Sequence, residues 1–294
     1  MLNRYCVLVV LTVAVFVVGC SRTTTPQKDV KPVPGNDTSV KAVSVKTIGA
    51  WEKVPGTTVP LKPTIPNCTK GHLGAVDAVI KAQHTEDTIA IQVSWPDATK
   101  SDTHKSKVWD AAAKSYKADE DREDRVALFF DMGGDFAACM LADQEYRVDV
   151  WHWKAARTGP AGLAHDKFHI YSKKAEHKKS KEFKSNTGGK IFIARVSDEG
   201  DALYAANKTP EQKTEDRLAG YVPNAEAKGS IADVKAEAVH DGKRWTVTMT
   251  RKLNTGHDDD VVFAQGKQYK SAVACFDRSS DDHHSTAGFT LVVE

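Results

Sequence analysis

Residues 88–95 read TIAIQVSW, a strict alternation that sets Ile89, Ile91, Val93 and Trp95 on one side of an extended chain before Pro96 ends the run. Successive side chains of a strand point to opposite faces, so this stretch predicts a half-buried β-strand. Arg244–Lys252 (RWTVTMTRK) repeats the pattern, with Trp245, Val247 and Met249 inward and the threonines outward. Arg125–Asp131 (RVALFFD) is an apolar run suited to a strand buried on both sides, and it stops at Gly133-Gly134. Val148–Lys154, Lys190–Val196 (KIFIARV), Asp260–Phe263, Lys270–Phe276 and Phe289–Val293 complete a set of short strands separated by turn residues. Helical periodicity is confined to short pieces at Lys107–Lys117 and Pro210–Ala219. The fold class this predicts is all-β: an antiparallel β-sandwich with long loop insertions, chiefly within 159–230, and a few short helices. No internal repeat is visible.

The chain has 294 residues, 40% hydrophobic and 27% charged, enough for one large domain or two small ones. With 41 basic and 39 acidic residues the net charge is +2, so no global field recruits nucleic acid. The charge bias is local. Residues 167–184, KFHIYSKKAEHKKSKEFK, carry seven lysines and two glutamates and read as a solvated loop, with docking to an acidic partner as the functional alternative.

The N-terminus reads as a targeting segment. Arg4 precedes Val7–Val18, an apolar stretch of twelve residues, whereas a membrane-spanning helix needs about twenty. The stretch closes on VVGC (17–20), similar to a bacterial lipobox. Residues 1–19 are then a signal peptide, Cys20 is the lipidated mature N-terminus, and 20–47, rich in Thr, Pro, Lys and Ser, form a flexible tether to a domain spanning 48–294. Export to the periplasmic side of a bacterial membrane follows, and Ser21 favours the outer one. Export permits a disulfide, and Cys68, Cys139 and Cys275 allow three pairs that spacing does not choose between.

One segment concentrates chemistry. Asp149–Thr158 reads DVWHWKAART; as a strand it sets Asp149, Trp151 and Trp153 on one face and Val150, His152 and Lys154 on the other. An aromatic wall beside paired cations suits a planar ligand carrying carboxylates, and equally a core strand whose tryptophans pack. Phosphate loops, dinucleotide fingerprints, nucleophile elbows, paired-histidine zinc helices and the two-cysteine-plus-histidine haem attachment run are all missing. Asp258-Asp259-Asp260 and Asp281-Asp282 have calcium-like composition, but neither has the spacing of a loop that wraps a cation.

Taken together, SWPDATKSD (94–102), EDRVALFFD (123–131), DVWHWKAART, RWTVTMTRKLNTGHDDDVVF (244–263) and YKSAVACFD (269–277) resemble the haem-binding domain of ethylbenzene dehydrogenase γ subunits. The resemblance covers about residues 51–294. It implies a β-sandwich holding one non-covalent haem b. Such domains pass single electrons between the iron–sulfur chain of a dimethyl-sulfoxide-reductase-type molybdenum oxidoreductase and an external carrier such as a soluble c-type cytochrome. The implied role is electron transfer without catalysis of its own; the alternative is a haem-free, lipid-anchored binding or assembly module, since such sandwiches also resemble carbohydrate-binding modules.

Carried over residue by residue, the resemblance places an axial methionine in FAACMLADQEYR (136–147), hence Met140, with Met132 and Met249 as competitors. The opposite ligand is a lysine in γ subunits and a histidine in other members. This chain has no lysine between Lys270 and Glu294, and aligning the final strand puts His283 at that point, with His284 one step away. Lys154 and Arg157 are the implied partners of haem carboxylates, and Trp151 and Trp153 the residues lining the ring.

Overall fold

A computed structural model describes residues 38–63, 76–280 and 282–294. Cys20, Cys68 and the leader lie outside the described residues. The strands are β1 (Ser39–Ser44), β2 (Thr57–Pro63), β3 (Val76–His84), β4 (Thr88–Pro96), β5 (Lys107–Asp110), β6 (Ser115–Ala118), β7 (Arg125–Gly134), β8 (Tyr146–Lys154), β9 (His165–Ser172) and β10 (Lys181–Lys184). They continue as β11 (Lys190–Ser197), β12 (Tyr204–Ala206), β13 (Arg217–Leu218), β14 (Tyr221–Pro223), β15 (Lys235–His240), β16 (Arg244–Lys252), β17 (Gln268–Phe276), β18 (His284–Ser285) and β19 (Phe289–Val293). The only helical elements among the described residues are single 3-10 turns at Trp51–Lys53, Gly159–Ala161 and Ser230–Ala232.

The strands form a sandwich. One layer runs β10-β11-β9-β8-β7-β17, and pairing continues through β18 and β2 into the second layer, β3-β4-β16-β15. A second seam joins the layers: β19 pairs with β17 and lies parallel to β1, which is in turn parallel to β3. Between the layers lies the main core. Ile89, Ile91, Val93 and Trp95 meet Val126, Leu128 and Phe130, Trp151 and Trp153, and Trp245, Val247 and Met249 there, all as alternation demands. Each large side chain fully buried in this way contributes about 1.5–3 kcal/mol.

Several elements differ from the sequence reading. Lys107–Lys117 is a hairpin, β5 paired with β6, in which Trp109 packs edge-on against Tyr116 at 5.1 Å. Pro210–Ala219 holds turns and the two-residue β13 rather than a helix. Asp260–Phe263 is not a strand, although Val261 and Phe263 are buried. Ser39–Ser44, assigned to the tether, is β1, with Val40 and Ala42 buried. The lysine-rich run is only partly a loop: His165–Ser172 and Lys181–Lys184 are strands on either side of an exposed turn at 173–180. Arg125–Asp131 does not stop at the glycines. The register shifts between Asp131 and Gly133, a β-bulge that Gly133 (φ 129°) and Gly134 (φ 102°) make by adopting backbone conformations strained for other residues.

The core also holds a buried ionic cluster. Arg251, at 0% side-chain exposure, pairs through one nitrogen with Asp149 (2.7 Å), Asp166 (3.3 Å) and Asp260 (2.7 Å). It also donates to the carbonyl of Val261 (2.8 Å). Burial disfavours the Arg251 charge, but the three carboxylates outweigh it and hold the pKa above the ordinary value.

Candidate functional site

The outer face of the β17-β7-β8-β9 layer carries a second apolar cluster, in which Ala127, Val148, Val150, Tyr171 and Ala272 are covered by the segment Phe136–Leu141. Strand pleating produces it: β7 turns Val126, Leu128 and Phe130 to the main core and Ala127 and Phe129 outward. β8 turns Trp151 and Trp153 inward and Val148 and Val150 outward. A cleft of about 360 Å³, measured to its open mouth, lies on this outer face. Most of that space is open to solvent and the enclosed part is about 20 Å³, room for roughly one water, so a large planar ligand would enter only by displacing the covering segment Phe136–Leu141.

Small residues make the floor and aromatic residues the walls. Ala272 and Ala274 of β17 lie under the cleft, and Phe129, Phe136, Tyr146 and Tyr171 stand around it. Tyr146 and Tyr171 stack with centroids 4.2 Å apart, and burial pushes the Tyr146 phenol well above its ordinary range. Met140 and His283, about 140 residues apart in sequence, both line this one cleft. The Met140 sulfur lies 3.9 Å from a nitrogen of Arg195, whose side chain is exposed. The His283 ring packs 4.9 Å from Phe276, whose other contacts are the His152 ring at 5.7 Å and the Arg125 guanidinium at 4.1 Å.

His283 and His284 part company as neighbours on an extended chain must. Ser285 pairs with Ala274 and lines the cleft, whereas His284 pairs with Cys275, which belongs to the main core. His284 is buried away from the cleft, and that burial lowers its pKa. The competing methionines also face inward: Met249 is fully buried in the main core and Met132 packs against it. Cys139 and Cys275 are both free thiols, so they are not paired with each other.

The remaining residues singled out in sequence lie elsewhere. Trp151 and Trp153 are the back of the sheet, packed on Phe130 and Trp245 at 4.9 and 5.0 Å. Lys154 is buried, and its ammonium donates to His165 Nδ1 (2.6 Å) and lies 3.2 Å from the Tyr204 hydroxyl. Burial, with Lys167 and Arg157 nearby, holds the Lys154 pKa well below its ordinary value. Arg157 is committed to the buried Glu123, which its Nε meets in a short ion pair and whose other oxygen accepts from the backbone of Ala156 and Arg157. Neither Lys154 nor Arg157 lines the cleft. The aromatic walls, the alanine floor and Arg195 escaped the sequence reading. The alternation in SAVACF (271–276) is the one signal that marks Ala272 and Ala274 as sharing a face.

The donor set fits a haem. A neutral thioether and an imidazole in one apolar, aromatic-walled cleft are ligand types that haem iron takes.

The sequence model described as "Ethylbenzene dehydrogenase" matches residues 49–287. No curated protein matches the chain. Among solved structures, a putative carbohydrate-binding protein from Bacteroides uniformis ATCC 8492 is 8% identical, with a TM-score of 0.41 over 88% of this chain and 100% of that one. A carbohydrate binding module family 9 from Caldicellulosiruptor kristjanssonii, in complex with glucose, is 7% identical, with a TM-score of 0.33 over 87% of this chain and 95% of that one. Those likenesses are too distant to bear on the site. The family match spans most of the sequence and all the segments that build the cleft, and the chain belongs to the ethylbenzene dehydrogenase family.

Proposed function

We propose that the protein is a haem b electron-transfer component, a γ-like subunit or carrier serving a dimethyl-sulfoxide-reductase-type molybdenum oxidoreductase. The observation that carries this reading is that Met140 and His283, brought together only by the fold, line one cleft. A bound haem supplies one-electron chemistry there. Met140 offers a weak neutral sulfur donor and His283 a nitrogen donor, a pairing that sets a higher potential than two nitrogens. Phe129, Phe136, Tyr146 and Tyr171 line the same cleft and would keep water from a haem held there. Arg195, an exposed guanidinium beside Met140, takes the carboxylate-pairing role in this reading, because Lys154 and Arg157 are held by internal partners. Met140 and His283 would hold the haem through two side chains, and the chemistry it would supply there is electron relay rather than transformation of a substrate. An acylated Cys20 would keep it on a membrane near its partner, since several acyl chains hold where one does not.

An absorption spectrum of the purified protein, oxidised and then reduced with dithionite, combined with a pyridine haemochrome assay, tests the reading. One haem b per chain is expected. A protein without a Soret band after expression with ample haem overturns it and points to a haem-free binding or assembly module.

A further inference from the structure

The calcium-like triplet Asp258-Asp259-Asp260 lacks a wrapping loop in sequence, but the fold supplies what the sequence spacing does not. Asp198, just beyond the end of β11, is brought to the loop after β16. Carboxylate oxygens of Asp198, Asp259 and Asp260 lie within 4.8 Å of one another. Asp198 is only 5% exposed, and neither of its carboxylate oxygens has a hydrogen-bond partner among the described residues. A buried carboxylate with both oxygens unmet is costly, and proteins resolve that cost by pairing, by protonation or by coordinating a metal.

Pairing does not resolve it here. Five carboxylates, those of Asp149, Asp166, Asp198, Asp259 and Asp260, share this region with one buried guanidinium, that of Arg251, while the Lys167 ammonium acts on Asp198 only at a distance and forms no ion pair with it among the described residues. Arg251 is turned to Asp149, Asp166 and Asp260 and has no ion pair with Asp198. His257 adds a cation only when protonated, and its Nδ1 is nearer Asp233 (2.9 Å) than Asp260 (3.7 Å). A proton on Asp198 leaves its hydroxyl without an acceptor and its carbonyl without a donor. A cation satisfies both oxygens at once and offsets two charges.

From this arrangement we propose that Asp198, Asp259 and Asp260 form a structural site for a hard divalent cation, calcium in preference to magnesium. The three donors are carboxylate oxygens with no thiolate among them, which suits a hard cation. The carboxylates come from two separate segments, one of them a loop, and calcium's adaptable coordination at six to eight oxygens demands less of such a set than magnesium's strict octahedron. The Ser230 hydroxyl, hydrogen-bonded to Asp259 at 3.0 Å, holds that carboxylate in position. Thr255 does the same for the second oxygen of Asp260. The ion then pins the loop after β16 to the end of β11. The proposal is independent of haem binding.

Full-length protein stripped with EDTA and titrated with CaCl2 by calorimetry should bind about one calcium per chain. Its melting temperature should rise with calcium, and an equal concentration of MgCl2 should do markedly less. Asp259→Asn, at a half-buried position that tolerates the change, should weaken calcium binding about tenfold or more and shrink the thermal shift. Asp198→Asn should abolish binding and leave the melting temperature unresponsive to calcium. Absence of saturable calcium binding by the folded, EDTA-stripped wild type overturns the proposal even where a variant fails to fold. Calcium binding unchanged in Asp259→Asn and Asp198→Asn also overturns it.

Discussion

At the scale of single residues, buried charge decides more than any surface contact. Arg251 is, among the described residues, the one buried guanidinium paired with Asp149, Asp166 and Asp260, so Arg251→Leu strands three carboxylates rather than deleting one bond. Removing one partner of a buried ion pair typically costs about 3–5 kcal/mol. Urea denaturation of Arg251→Leu should show a loss of that order, and a loss below about 1 kcal/mol would mean that the carboxylates are already protonated. His104 carries the opposite lesson. Burial, with Arg157 and Arg125 nearby, pushes its pKa down to about 3, and its Nδ1 accepts from the Glu123 backbone. Below about pH 6.5 the unfolded chain takes up this proton and the native state does not. The stability contributed by neutral His104 is therefore present above pH 6.5 and lost as pH falls towards 3, by up to about 1.4 kcal/mol per pH unit. Asp124, pushed up to about 7 mainly by burial, acts with the opposite sign, so the whole-protein slope is not diagnostic. The difference between wild type and His104→Gln isolates the histidine: from pH 7 to pH 5 the wild type should lose stability relative to the variant. A pH-independent difference contradicts this.

Elements were legible in proportion to how strongly their pattern stood out. The alternating β4 and β16 and the all-apolar β7 were readable because burial of one or both faces writes itself directly into sequence. The hairpin of β5 and β6 was not, because KVWD and SYKA are half-exposed and KVWDAAAKSYK imitates a short helix. β1 was hidden because only Val40 and Ala42 of its six residues are buried, beside a tail of similar composition. The lysine-rich segment shows the same ambiguity. β9 buries His165, Asp166, His169 and Tyr171, while Lys173, Lys174, Lys178 and Lys179 crowd the exposed turn before β10. That turn is where an acidic partner would first feel the protein. Neutralising the four lysines together should slow association with a molybdenum-enzyme partner at low salt and flatten its salt dependence, since exposed charges act chiefly on encounter rate. Stopped-flow kinetics unchanged in the quadruple variant would reduce the turn to a solvated connection.

For the whole molecule, the sandwich was legible and the site only partly so. The segment carrying Trp151 and Trp153 stood out by composition, yet its tryptophans pack between the layers while the cleft forms on the other face of the same strand. Aromatic density in a sequence reports burial and cannot say on which side of a sheet a ligand sits. Lys154 and Arg157 looked free because their partners, His165, Tyr204 and Glu123, come from distant segments. The cleft itself is a tertiary product of β7, β8, β9 and β17, the Phe136–Met140 cover and the residues before β19. That two donors so far apart in sequence line it is the central claim, and the most direct test is the Soret spectrum and redox titration of three folded variants. Met140→Ala should keep haem with a lower potential or a high-spin component, His283→Ala should lose haem affinity outright, and His284→Ala should behave as the wild type. A normal spectrum and potential in His283→Ala would contradict the account, whether or not His284→Ala then proves to be the variant that fails.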